Sequence, residues 1–224
     1  MKLVHRLLLA VLLGLTALHA QAAPYFASKD GSTIWDKETG LVWMRCSLGQ
    51  KWDGKICTGN AKEFYFSRAQ GTDTDFNAAG GMSGFTDWVV PSIMRLISLR
   101  VCSKGVVQEH VDLIGPRAKK VAASCSLQSA RPAIDPKAFP GTPATAFWSS
   151  SPNGNDLAWY VDFVIGEVQH DSREDDVFLV RLVRASHVSG SEAALAFPVS
   201  LPAMTDADWK LAARAQKTSV NQRH

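Results

Sequence analysis

Histidine and cysteine are scarce in this chain of 224 residues, with six and four copies. What is missing around them limits the chemistry. Ser149-Ser150-Ser151 is not G-x-S-x-G, and His110, His170 and His187 are scattered, with no Ser or Cys at a catalytic spacing. No C-x-x-C pair occurs and the cysteines have few histidine neighbours, which makes zinc or copper the weaker reading of them. A surplus of one charge is also missing. With 24 Lys+Arg against 21 Asp+Glu the formal charge is +3, which argues against a general nucleic-acid binder. The longest apolar run, Leu7 to Leu18, falls short of the ~20 residues a membrane helix needs. There is no internal repeat and no low-complexity tract.

That apolar run has a different reading. Lys2 and Arg6 precede it and Ala20-Gln21-Ala22 follows, which is the pattern of a cleavable secretory leader ending at Ala22. The expected compartment is therefore periplasmic or secreted. Loss of Lys2 and Arg6 lowers the formal charge of +3 by two, so recognition by charge must come from local patches. An even cysteine count in an exported chain reads as two disulfides. Sequence order favours Cys46 with Cys57 and Cys102 with Cys125, each closing a modest loop worth ~3 kcal/mol in the chain-entropy model.

The densest hydrophobic pattern is Phe147 to Arg184, with aromatic strand candidates, a Gly/Asn turn, an acidic loop and a last strand. The upstream chain is expected to cover this sheet. Thr33–Asp36 and Leu41–Arg45 read as short strands around a turn ending in Gly40, with Trp35, Leu41 and Trp43 in the core. Ala61–Ala69 reads as a short helix capped by Asn60, and residues 71–84 as an irregular loop. After Pro91 and a Ser92 cap, Ile93, Leu96, Ile97 and Val101 mark one helical face. Residues 103–146 carry five prolines and read as a long ordered loop. Past Ala185 the pattern stops. Residues 186–204 read as a linker, and Thr205 starts a short amphipathic helix in which Trp209 and Ala213 could dock on the domain.

Several stretches together carry a resemblance: TGLVWMRCSLGQKWDGKICTG (39–59), GFTDWVVPS (84–92), AIDPKAFPGTPATAFWSSSP (133–152), AWYVDFVIGEV (158–168) and VFLVRLVR (177–184). In this order they resemble the C-terminal domain of the Lcl collagen-like adhesin family, over roughly residues 33 to 184. The resemblance implies an α+β, C-type-lectin-like fold related to formylglycine-generating enzymes, with short helices and a small antiparallel sheet stapled by disulfides. It also implies binding rather than catalysis, in exported bacterial proteins and surface adhesins, with sulfated polysaccharide a ligand of some members. The implied organisation is a leader (1–22), the domain (23–185), and a linker with a terminal helix (186–224). Two features depart from the family. Its usual D-W-R-L-P-S-x-x-E-L has Val89 at the Arg position and Arg95 at the Glu position, which removes a capping box. The tail beyond Arg184 is the second departure.

Candidate contact residues follow. Arg95, Arg100, Lys104, Arg117, Lys119, Lys120, Arg131 and Lys137 outnumber the acids around the second cysteine pair. Arg117, Lys119, Lys120 and Arg131, gathered near Cys125, are the expected anion-binding set. Trp52, beside Asp53-Gly54, is the expected exposed aromatic. Alternation within strands assigns most of Trp148, Trp159, Tyr160 and Phe163 to the core. Glu167, Asp171, Glu174, Asp175 and Asp176, with Asn153, Asn155 and Asp156, raise calcium as a lesser possibility; no cofactor is otherwise expected. Arg181 and Arg184 are expected to pair with carboxylates such as Asp162. The function expected is a non-catalytic module binding a polysaccharide or a protein. The alternatives are an accessory protein that docks a partner through its terminal helix and, more remotely, an oxidising formylglycine-type enzyme with free thiols.

Overall fold

The computed structural model describes residues 24–107, 124–172, 174–186, 193, 195–205 and 207–212. The leader and most of the basic segment, including Arg117, Lys119 and Lys120, lie outside them. The fold is mixed α+β, with short helices, mostly antiparallel sheets and two disulfides.

The first sheet contains β1 (Tyr25–Ala27), β2 (Thr33–Asp36), β3 (Leu41–Met44), β13 (Val183–Ala185) and β14 (Val199–Ser200), in the order β13-β3-β2-β1-β14, antiparallel throughout. The turn between β2 and β3 closes with Gly40 at φ 69°, which a side chain would resist. The second sheet contains β6 (Glu63–Phe64), β9 (Ala146–Asn153), β10 (Leu157–Asp162), β11 (Glu167–Ser172) and β12 (Phe178–Leu179), in the order β11-β10-β9-β12-β6. Its β9–β12 contact is parallel. The upstream strands therefore build a sheet of their own instead of only covering the downstream one.

Alternation along the strands builds two cores. Every residue of β3 is buried: Trp43 enters a core with Phe147, Phe163 and Ile134, while Val42 and Met44 enter another with Trp148, Trp88 and Leu182. Phe147 and Trp148 divide in the same way. Trp148 packs against Phe178 and Tyr160, and its Nε1 donates to Phe64 O at 2.7 Å. Trp35, expected in the core, is only half-buried and stacks with Phe197 at 6.0 Å.

The short elements differ from expectation in two places. The helix expected over 61–69 is only α1 (Phe66–Ala69), because Glu63–Phe64 is drawn into the sheet as β6; Tyr65 occupies the cap, not Asn60. Within the expected loop 71–84, α2 (Thr72–Ala78) forms, with Asp73 and Asp75 in its first turn, where the helix dipole favours them. The expected helix after Pro91 is α3 (Ile93–Ile97), shorter than the apolar spacing suggests. Ser92 caps it by accepting from Arg95 N at 3.4 Å, and Arg95 points to solvent. Between Cys102 and Cys125, β7 (Val106–Val107) pairs with β8 (Ser124–Cys125).

Residues 195–205, where the sequence reads as a linker, lie against the domain. β14 extends the first sheet, Leu201 N donates to Tyr25 O at 3.0 Å, and Phe197 is buried. Residues 207–212 are helical and bury Trp209.

Candidate functional site

A pocket of about 570 Å³ opens where the chain before β2, the turn after α2 and the tail meet. That volume lies within the usual small-ligand range of ~300–1,000 Å³. Ser28, Lys29, Asp30 and Thr33 form one side. Ser83, Phe85 and Arg184 form the opposite side, and Ala196 and Phe197 of the tail supply the third.

Each wall has a local cause. Asp30 Oδ1 accepts from Ser28 Oγ at 2.6 Å and Ser32 N at 3.1 Å, while Oδ2 accepts from Ser32 Oγ at 2.8 Å. Burial pushes the Asp30 carboxyl up, but these hydrogen bonds outweigh it and hold the group below the ordinary carboxylate range. Ser32 Oγ lies 3.3 Å from Ser83 Oγ, tying the two sides together. The opposite turn is fixed from beneath. Trp88 Nε1 donates to Phe85 O at 3.1 Å, and Asn77 brackets the Trp88 backbone at 2.7 and 3.1 Å. At Gly81, with φ 63°, a Cβ would stand 1.9 Å from Phe85 O, so only glycine lets this turn close.

Phe85 stays 44% exposed while the Arg184 guanidinium sits 3.7 Å over its ring. Arg184 is buried and bonds Asp87 in a two-point pair, Nε to Oδ1 at 2.6 Å and Nη2 to Oδ2 at 3.1 Å. Phe197 leans on Trp35, which in turn contacts Phe26. The lining is thus largely apolar, with hydroxyls, one ammonium, one guanidinium and one carboxylate set in it.

The expected pairing of the two arginines with carboxylates holds for Arg184, through Asp87 and not Asp162, and is replaced for Arg181. Arg181 is fully buried without a carboxylate in its hydrogen bonds: it donates to the Met44 and Arg45 carbonyls and to Thr142 Oγ1, and its guanidinium lies 4.8 Å from the Phe139 ring centroid. Burial pushes its pKa down to about 9, which leaves it a cation at neutral pH. Asp162 instead accepts from Val164 N at 2.6 Å and lies within the field of Arg131; burial raises its pKa despite both. Arg131 itself is exposed.

Trp52 lies in β4 (Lys51–Trp52), paired with β5 (Cys57–Thr58) beside the Cys46–Cys57 bond. It is half-buried, with the Arg45 guanidinium 4.0 Å from its ring centroid. Arg45 also donates to Gly31 O at 3.2 Å. Trp52 thus packs against the turn whose neighbouring residues face the pocket, and that turn joins two regions the sequence keeps apart.

The basic set divides. Arg100 donates to Gly166 O at 3.0 Å and Lys137 bonds Asp208 at 2.6 Å, so both are engaged inside the fold. Arg95, Lys104 and Arg131 are exposed. The Cys102–Cys125 bond and the β7–β8 pair bracket the segment carrying Arg117, Lys119 and Lys120. In the acidic region Ser172 Oγ donates to Asp175 at 2.7 Å, and burial with the Asp171 carboxyl raises Asp176. Among the described residues no group of three or more His, Cys, Asp or Glu side chains is placed to hold a metal ion. Among the same residues no helix is long and apolar enough to cross a membrane.

The pocket escaped the sequence reading. Its residues lie at 28–33, 83–85, 184 and 196–197, and no periodicity connects them. The signals were the Gly80-Gly81 pair ahead of an isolated Phe85, and a second aromatic, Phe197, in a stretch without a pattern.

Comparison with known families finds a match to the model described as the Lcl C-terminal domain, over residues 32–184. No curated protein matches the chain.

Proposed function

The chain belongs to the Lcl C-terminal domain family, and on that footing we propose that it is an exported, non-catalytic binding module of the bacterial envelope or surface. The family name is consistent with an adhesion or binding role outside the cell. The proposed ligand is a polysaccharide with anionic groups, and the proposed fold relationship is to C-type-lectin-like domains. Export through the leader at residues 1–22, to the periplasm or beyond, is part of the same proposal. Both disulfides suit an oxidising compartment.

The observation that carries the ligand proposal is the placement of cations around the second disulfide. Lys104 and Arg131, both exposed, follow its cysteines by two and six residues in sequence, and Arg117, Lys119 and Lys120 belong to the segment between those cysteines. Sulfate or carboxylate groups on a polymer suit such a set through charge-assisted hydrogen bonds. The alternative, a terminal helix that docks a partner, has less support, because Trp209 is buried against the chain's own domain and Asp208 is taken by Lys137.

The test is retention of the mature protein on a heparin column over a salt gradient, with and without a chelator. The expected result is elution above physiological salt that is insensitive to chelator and lost when Arg117, Lys119 and Lys120 are reversed in charge. Flow-through at low salt would overturn the anionic-ligand reading. Loss of retention with chelator would bring the acidic region and calcium back into the recognition.

A further inference from the structure

We infer that the pocket between Phe85 and Phe197 is a second carbohydrate subsite, one that takes a neutral N-acetylated saccharide. The inference deepens the proposed polysaccharide recognition and rests on that reading. It differs in chemistry and in location from the basic segment.

The electrostatics come first. Lys29 and Asp30 line the pocket with opposite charges, and the Arg184 charge is already met by Asp87 through two hydrogen bonds. A site balanced in this way has no surplus cation for a sulfate. The shape comes second. Phe85 has one face under Arg184 and is otherwise 44% exposed, while Phe197 and Ala196 form an apolar wall. The C–H face of a pyranose, and an acetyl methyl, match surfaces of this kind. The polar groups come third. Asp30 already accepts three hydrogen bonds, and two carboxylate oxygens have about four lone-pair positions between them. Its own backbone N–H adds a fourth, so the carboxylate is filled, and the acceptor for an acetamido N–H or a sugar hydroxyl is the Ser83 hydroxyl, which has two lone pairs and a donor and meets Ser32 Oγ at 3.3 Å. Ser28, also lining the pocket, adds a second hydroxyl.

The walls come from both inside and outside the family match. Ser28, Lys29 and Asp30 precede the family match and Ala196 and Phe197 follow it, whereas Ser83, Phe85 and Arg184 fall within it. The tail is held in place by β14 on β1 and by the Phe197–Trp35 stack. It thus supplies one wall of a site whose other wall belongs to the family domain.

The test titrates the full mature protein with N-acetylglucosamine oligosaccharides of two to four units. Amide shifts are followed by NMR and the Trp35 environment by fluorescence, at low and high salt. The expected result is shifts confined to residues 28–33, 83–85 and 196–197, unchanged by salt. Ala196→Trp, which fills the pocket from an exposed position, and Phe85→Ala should each weaken binding by about tenfold or more. Both variants should keep heparin retention; Ala196→Trp should keep the wild-type melting profile, whereas Phe85→Ala, which gives up the Arg184 stack, should melt somewhat lower but still fold. Shifts that persist in Ala196→Trp, that map elsewhere, or that never appear overturn the inference. If heparin is retained in that case, only the pocket assignment fails. If neither ligand binds, the polysaccharide reading fails with it. Should Ala196→Trp not fold, Phe85→Ala decides alone, since its ring is partly in solvent and its backbone contacts are unaffected.

Discussion

Arg184 Nε donates to Asp87 Oδ1 at 2.6 Å across 97 residues of sequence, and the same guanidinium lies 3.7 Å over Phe85. The neighbouring Val89–Val183 bridge sets this geometry, with Val89 N donating to Val183 O at 2.8 Å and Val183 N returning to Val89 O at 3.0 Å. The pair therefore closes the first sheet onto the turn that carries one pocket wall. Asp87 is about half exposed while Arg184 is buried, so removing the acid leaves a buried cation with less compensation. Asp87→Ala should cost roughly 1–3 kcal/mol in urea unfolding, below the figure for a fully buried pair. Arg184→Lys should cost a similar amount, because an ammonium loses both the two-point geometry and the stacking on Phe85. A full-stability Arg184→Lys variant would show that the fork geometry is unimportant.

Arg181 presents the opposite case, a buried cation held by carbonyls. Arg181→Met conserves much of the volume but leaves the Met44 and Arg45 carbonyls and the Thr142 hydroxyl without this donor. We expect a loss of about 2–4 kcal/mol, as for several buried acceptors left unsatisfied together. Unchanged stability would mean these carbonyls find other donors.

Strand content was readable in the sequence wherever alternation was strong, and β2, β3 and the β9–β10 region fall where it places them. The helical face of Ile93 and Leu96 was readable for the same reason. Elements whose existence depends on a distant partner were not. Glu63–Phe64 becomes a strand only because Phe178–Leu179 lies beside it, and Val199–Ser200 only because β1 presents an edge. Partner choice for Arg181, Arg184 and Asp162 was illegible because it depends on how the sheets are laid together. Trp52, expected as an exposed aromatic, is half-buried, because the Arg45 stack on its ring is a tertiary contact that no local pattern announces.

Both disulfides should be present in the native protein, so thiol titration should find no free cysteine until reductant is added. Replacing Cys46 and Cys57 together by serine should cost ~3 kcal/mol for a loop of this size. It should also loosen the β4–β5 pair that positions Trp52. One reactive thiol per molecule under native conditions would contradict the pairing.

At high pH the tyrosines report on packing. Burial pushes the Tyr160 hydroxyl up to about 12, with Asp171 and Glu167 adding to it. Burial, with Asp36, pushes Tyr25 higher still. A folded pKa above the unfolded value of ~10 means the associated stability is present below pH 10 and is lost as pH rises toward the folded value. Tyr160→Phe removes one such group and should flatten the alkaline loss of melting temperature between pH 10 and 12. An unchanged profile would place the alkaline transition on Tyr25 or elsewhere.

At low pH the terminal helix of residues 207–212 should loosen before the domain unfolds. Lys137 Nζ bonds Asp208 at 2.6 Å, and Thr205 donates to the same carboxylate from its backbone and its hydroxyl at 2.8 and 2.7 Å. The Lys137 bond and then the Thr205 bonds lower the Asp208 pKa to about 2. A depressed carboxylate gives stability that is present above its unfolded value and lost as pH falls through the folded one. The window therefore runs from about pH 4 to 2. Asp135 works against it, since burial raises its pKa and its contribution fades as pH rises. The difference between wild type and Asp208→Asn isolates this helix. Iodide quenching of Trp209, in a variant where its signal is assigned, should rise through that window in wild type and should already be high in Asp208→Asn at neutral pH. Quenching that stays low in both at pH 2 would mean Trp209 burial alone holds the helix, with the Lys137 pair only decorating the contact.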